Sequence, residues 1–478
     1  MATPHQITIK GYASSSGIFQ ARPLKPGTLQ KVSELLQMNH DSYHIYIHNL
    51  GLHNHILHHL LTIVALGGNT AQLQSAYDLA IDSQRLTRSP DADRVLDMTN
   101  PVEFQKYLGR GKYYDDYFAF FQNEISRSGV STTVNEFLFK GDDRAEDMFQ
   151  RFFSGYSIEF DQPLVTAEAL ALTAVHDASF GSILALIERS TDASCNENLI
   201  TIQEKLQRSN HINRAMDFTH GVSQIQNGFL QNSKEEFLQL IGSWKVDQHE
   251  LEEKTAEALN SALYWTSAAQ RPEKEIRFDF FLMHSITAGS FWPVLNNVPW
   301  INSETKCRLL EWKGRSDLML YCQTGLPRPR LEGMHTYQPR IPSDWSKLFR
   351  RACDYQDDGH LAKFIRAIAT ASQISKPFFV SGSQFRLTRE DQFLTIGHMV
   401  LRTKPSNIVT NPPVMDSAER FNRESSNRET EMICEKYEYP RTLPPEIQRV
   451  TARWPRHVGF EEAWFHVPAR NTNFISQL

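Results

Sequence analysis

Four histidines fall in seven residues, His53-Asn54-His55-Ile56-Leu57-His58-His59, and lead into an apolar stretch that ends at Gly67-Gly68. Histidine is a mediocre helix former, but its ring nitrogens titrate near neutrality and ligate first-row metals. Several at helical spacing therefore point to metal ligation or proton transfer. The spacing is not the His-Glu-x-x-His of zinc proteases, and the plain alternative is surface or hydrogen-bonded core histidines that bind nothing. Two further histidines stand in comparable settings. His284 lies in the apolar, aromatic run Phe278-Asp279-Phe280-Phe281-Leu282-Met283-His284, where an unsatisfied imidazole is costly. A lone buried histidine is most often satisfied by a backbone carbonyl or a carboxylate. His360 and Lys363, in Asp357-Asp358-Gly359-His360-Leu361-Ala362-Lys363, form an i, i+3 pair at the start of an amphipathic segment. The plain reading of Lys363 is a lysine whose stem lies on the surface with its ammonium in water.

These residues need rigid elements to position them, and the pattern is predominantly helical. Residues 54–66 lack Gly and Pro, repeat apolar residues at three- and four-residue steps, and stop at paired glycines, so a helix is expected there with His55, His58 and His59 on one face. His53, His44 and His48 lie upstream of that face. Helices are also expected over 32–36, 70–84, 105–127, 145–153, 166–188, 199–209, 234–241, 251–269, 278–291, 305–323, 343–353 and 359–372. Strand signals are rare and no repeat is found. The expected fold is mainly α, a single large multi-helix bundle-like domain over 31–403. A polar extension (1–30) precedes it. An irregular surface excursion (404–448), rich in Pro, Asn, Ser, Arg and Glu, follows, and a C-terminal segment (449–478) returns to aromatic character and docks on the helical domain.

The 478-residue chain can bury a substantial core. Its net charge of −5, with both signs interspersed, argues against a nucleic-acid partner and for a small neutral substrate. The five cysteines are widely spaced without a Cys-x-x-Cys, and are expected to be buried thiols in a reducing compartment. The first 30 residues contain no apolar run resembling a signal peptide, and no span is long enough to cross a bilayer, so a cytoplasmic protein is expected. There is no Gly-x-Gly-x-x-Gly after a strand, no Walker loop and no Gly-x-Ser-x-Gly elbow. Gly109-Arg110-Gly111 is expected to be a break before Tyr113-Tyr114 and not a phosphate cradle. No flavin site is visible, and any use of NADPH must proceed without a Rossmann unit in this chain.

Together these segments resemble the questin oxidase-like family of fungal and bacterial proteins. The resemblance is carried by the histidine segment, by Tyr113-Tyr114-Asp115-Asp116-Tyr117-Phe118, and by Tyr156-Ser157-Ile158-Glu159-Phe160 with Ala167-Glu168-Ala169-Leu170-Ala171 and Val175-His176. It continues through the His284 and His360 segments to Val458-Gly459-Phe460-Glu461-Glu462-Ala463-Trp464. It implies an all-helical oxygenase of secondary metabolism that opens a ring of an anthraquinone-like polyketide with dioxygen, by Baeyer-Villiger-type or dioxygenase chemistry. It further implies that His55, His284 and His360 converge from three helices on a metal, with Lys363 beside His360 as a neutral or carboxylated ligand. His58, His59 and His176 are the alternatives. An imidazole-rich set suits non-haem iron, with manganese, copper and zinc also open from ligand type alone. The 29 Phe and 15 Tyr offer a flat apolar slot to a fused-ring substrate, although ordinary packing accounts for most of them.

The chain departs from the family pattern at one place. Related sequences carry a segment like Gly-x-x-His-Pro-x-Ile-His before Gly-Tyr-x-x-Glu-Phe, whereas here Phe152-Phe153-Ser154-Gly155 runs directly into Tyr156. The site is then expected to be short of a ligand unless His58, His59 or His176 fills the place. Two other classes compete with the metal-dependent oxygenase: a non-catalytic helical binding or scaffold protein descended from the family, and a cofactor-free oxygenase in which histidines act as bases.

Overall fold

The computed structural model describes residues 2–11, 19–21, 23–47, 52–151, 162–192, 195–379, 384–402, 454–465 and 467–470. The expected excursion at 404–448 and the departure at 152–161 lie outside them. Among the described residues the fold is helical, and the only paired strands are the two-residue β1 (Tyr46–Ile47) and β2 (Leu52–His53), antiparallel with Tyr46 opposite His53. The chain divides into two compact units. The first comprises residues 1–189, 291–309 and 349–363, and the second comprises 190–290, 310–348 and 364–478.

In the first unit α1 (Thr28–Ser42), α2 (Ile56–Ala65) and α3 (Thr70–Ile81) pack on one another. α2 is apolar nearly all round and accordingly buried, with Leu60, Leu61, Ile63, Val64 and Ala65 fully inaccessible. It ends at Gly67, whose φ of +74° favours glycine. Asn69 and Gln72 form a reciprocal capping box at the start of α3, with bonds of 3.0 and 2.9 Å. α4 (Tyr114–Ser128) and α5 (Pro163–Val175) pack closely over a core of Tyr117, Phe120, Phe121, Leu170 and Ala174. Phe104 and Phe137 join its rings edge-on. The first residues also pack, since Ile7 and Ile9 are buried and Thr8 N–H bonds Gln162 Oε1 at 3.0 Å.

Two expected helices are broken. The 105–127 span is interrupted at Gly109-Arg110-Gly111 between Pro101–Tyr107 and α4. The 166–188 span is α5 followed by α6 (Ser179–Ser190), because His176 turns to an extended ψ of 156° and Asp177 Oδ1 caps Ser179 N–H at 2.8 Å. No single helix among the described residues is long and apolar enough to cross a membrane; α5 and α6 pass only as a pair bent by 80°.

In the second unit α7 (Leu251–Ala268) is almost wholly buried and packs against α8 (Phe280–Gly289), the helix of His284. Asp279 caps α8, accepting from Phe281 and Leu282 N–H at 2.7 and 3.1 Å, while its other oxygen accepts Val458 N–H at 3.1 Å. Trp454 and Trp464, 1% and 2% exposed, complete this core. α9 (Ser303–Gln323) and α10 (His360–Ser375) start in the first unit and end in the second. α11 (Glu390–Arg402) has no counterpart among the expected helices.

Candidate metal centre

One wall of the site is the junction between β2 and α2. Asn54, buried there, accepts Ile56 N–H at 2.9 Å and donates to Asn39 Oδ1 at 2.8 Å, so the entry to α2 is fixed to α1. This places His53 at the end of β2 and His55 at the N-cap of α2, one turn before His59, whose N–H bonds the His55 carbonyl at 2.9 Å. The other wall is the start of α10. Asp357 caps it, accepting Gly359 and Leu361 N–H at 2.9 and 3.1 Å, and the next carboxylate is thereby turned toward α2.

Asp358 lies between two imidazoles. Its Oδ1 is 2.6 Å from His360 Nδ1 and its Oδ2 3.2 Å from His55 Nδ1. The two rings meet edge to face, 4.7 Å apart at 81°. Burial and the nearby Lys363 ammonium push the His55 pKa down to about 4, against the pull of Asp358. A neutral His55 must donate Nδ1–H to the carboxylate, which leaves its Nε2 lone pair available. Burial opposes the Asp358 charge, but the imidazoles of His360 and His55 outweigh it and hold the carboxyl well below its ordinary range. Lys363, 9% exposed, is buried, and burial lowers its pKa against the pull of Asp358 and Asp357. Burial and Lys363 also bring His59 to about 4, and burial with His55 and Lys363 does the same for His53.

Ligand atoms of His55, Asp358 and His360 all lie within 4.8 Å of one another. Two ligand atoms of one first-row ion stand no more than about 4.2 Å apart for bonds of about 2.1 Å, and each imidazole already has an Asp358 oxygen within that span, at 2.6 and 3.2 Å. Two imidazoles and one carboxylate are the donor chemistry of a non-haem iron site. The donors therefore fit an ion of the iron or manganese class.

Of the residues singled out from sequence, the structure brings His55, His360 and Lys363 together. His58 is half-buried on α2, outside the three-donor group. His176 is also outside it and meets His53 instead, Nε2 to Nε2 at 3.0 Å. His284 belongs to the second unit, where its Nδ1 bonds the carbonyl of Phe280 in its own helix at 2.6 Å. Sequence reasoning missed Asp358 and left His53 unplaced. An acidic pair before Gly-His reads as helix capping, and Asp357 does cap; the partner that gives Asp358 its role lies 303 residues earlier.

A family model described as questin oxidase-like matches residues 52–368, a span that holds His53, His55, Asp358, His360 and Lys363. The chain is 33% identical to oxidoreductase AflY of Aspergillus parasiticus over 485 residues, covering 98% of this chain and 94% of that protein. It is 34% identical to questin oxidase of Aspergillus fumigatus over 397 residues, 79% of this chain and 88% of that one. Identity to Baeyer-Villiger oxidase ptaJ of Pestalotiopsis fici is also 34%, over 366 residues, 74% of this chain and 82% of the relative. With a family match across the whole candidate centre and relatives aligned over most of their lengths, the chain belongs to the questin oxidase-like family.

Proposed function

We propose that this chain is an oxygenase that oxidatively opens a ring of an anthraquinone-like aromatic polyketide, at a metal site built on His55, Asp358 and His360. The names of the relatives, questin oxidase and Baeyer-Villiger oxidase, support the reaction class. The observation that carries the site is the Asp358 carboxylate between His360 and His55 at 2.6 and 3.2 Å. A non-haem iron ion held there would supply dioxygen activation. Before an ion binds, Asp358 orients both rings, and the depressed pKa of His55 keeps its Nε2 free of a proton at neutral pH. Burial lowers the Lys363 pKa and so eases loss of the ammonium proton, after which the amine would ligate, accept carboxylation or serve as a base. His176 and His58, in the same unit as the centre, remain the proposed sources of further ligands.

A second reading rests on the same 2.6 Å contact, since a carboxylate-bound imidazole is also a general base and the site would then deprotonate a phenolic substrate without any metal. Metal analysis of the purified protein, followed by turnover of an anthraquinone under oxygen, separates the readings. Bound iron with metal-dependent ring opening supports the first. Ring opening by metal-free protein supports the second, and neither metal nor turnover leaves a binding protein. Assay with and without NADPH distinguishes Baeyer-Villiger oxygen insertion, which consumes an external reductant, from dioxygenase cleavage, which does not.

A further inference from the structure

The turn from Asp357 to His360 approaches α2 more closely than a side chain at position 359 permits. Gly359 has φ +91°, and a Cβ placed on it would stand 2.6 Å from His59 Cγ and 2.7 Å from His59 Cβ. Contacts that short are not tolerated, so the absent side chain is filled by the imidazole ring itself. His59 is 3% exposed, and its Nε2 has no polar anchor among the described residues. The stretch before the turn is tied to α3, where Gln72 Nε2 bonds Asp354 Oδ1 at 2.5 Å and Gln356 Nε2 bonds Ser75 Oγ at 3.3 Å. The turn is therefore held on one side by α3 and seated on the other against one ring of α2.

We infer that His59 is a positioning residue, whose ring is the plate on which Gly359 rests and which sets the angle at which Asp358 and His360 face His55. His55 and His59 are joined by a bond of one helical turn, His59 N–H to the His55 carbonyl at 2.9 Å. The same rigid turn of α2 thus carries one donor of the site and the support of the other two. Their separation is fixed by helix geometry before any ion arrives, which is the preorganisation a metal or general-base site needs. The inference rests on the reading of the centre given above only in what the centre is for; the seating of the turn is independent of it.

Two readouts test it. The first is the low-field imidazole N–H proton resonance of His360, bonded to Asp358, in metal-free protein. The second is cobalt(II) titration followed by visible ligand-field absorption. His59→Phe keeps a flat ring under Gly359, and is expected to keep the low-field resonance and the cobalt band positions. His59→Ala removes the plate, and Gly359→Ala forces the turn off it. Each is expected to lose or shift the resonance and to weaken cobalt binding by about 10- to 100-fold, with altered bands. The double variant Gly359→Ala/His59→Ala should be no weaker than the worse single variant, because both act through one contact. An unchanged resonance in His59→Ala, equal damage from His59→Phe and His59→Ala, or additive losses in the double variant would each overturn the inference. Wild-type protein that shows the resonance and its loss in His59→Ala, yet binds no cobalt, would sustain the positioning role while removing the metal site.

Discussion

Asp358 joins His360 to His55 through its two oxygens, at 2.6 and 3.2 Å, and so connects the first turn of α10 to the first turn of α2. His360 is held from within its own turn and His55 from across the site. Asp358→Asn replaces one acceptor oxygen with an NH2 group and removes the negative charge, so at least one imidazole loses its fixed tautomer. Turnover is expected to fall by about 10- to 100-fold with the fold intact, measured as kcat beside a circular-dichroism melt. Wild-type kcat in the Asn variant would show that the carboxylate does not orient the site.

The depressed histidines make stability depend on pH. His53, His55 and His59 have folded values of about 4 against an ordinary 6.5. Between pH 6.5 and about 4 the unfolded chain binds more protons at these positions, so stability is lost as pH falls through that window. The combined loss should be on the order of a few kcal/mol, allowing for partial exposure of His53 and His55. Asp358 is also shifted downward, and its contribution is lost only as pH falls below the ordinary carboxylate range. Denaturant melts from pH 7 to 4 should show the decline, and His59→Phe should reduce it.

Lys363 is within electrostatic reach of three histidines and lowers the pKa of each. Lys363→Met keeps the apolar stem and removes the charge. The pKa values of His53, His55 and His59 should rise in an NMR titration, and metal content or turnover should fall while the melting temperature changes little. A variant with unchanged titration and unchanged activity would leave Lys363 a buried lysine with no part in the site.

The helical class and the cores of most helices were legible because apolar periodicity and end signals are local: the capping box at Asn69-Gln72 and the glycine stop at Gly67 lie beside the helices they bound. The break at His176 was not, because helical apolar spacing resumes on both sides of His176-Asp177, where the contact of Arg151 with the His176 carbonyl and the Asp177 cap turn the chain. α11 was missed although its first turn carries Glu390 and Asp391, a favourable charge at a helix N-terminus. In the centre, His55, His360 and Lys363 were legible from residue type and from resemblance. Asp358 was hidden in a capping sequence, and His53 in a strand too short to show an alternation. The contact of Asp358 with His360 is local, but those of Asp358 with His55 and of His53 with His176 are tertiary, and no window of neighbouring residues contains them.

The central claim, that the Asp358-centred site holds an ion on which ring opening depends, is tested most directly by oxygen uptake. Metal-free protein and the same protein loaded anaerobically with iron(II) are each given an anthraquinone substrate and then oxygen, with NADPH present. Uptake coupled to ring-opened product only in the loaded protein, and lost in loaded His360→Ala, is the predicted result. Equal uptake and product formation by the metal-free protein would contradict it.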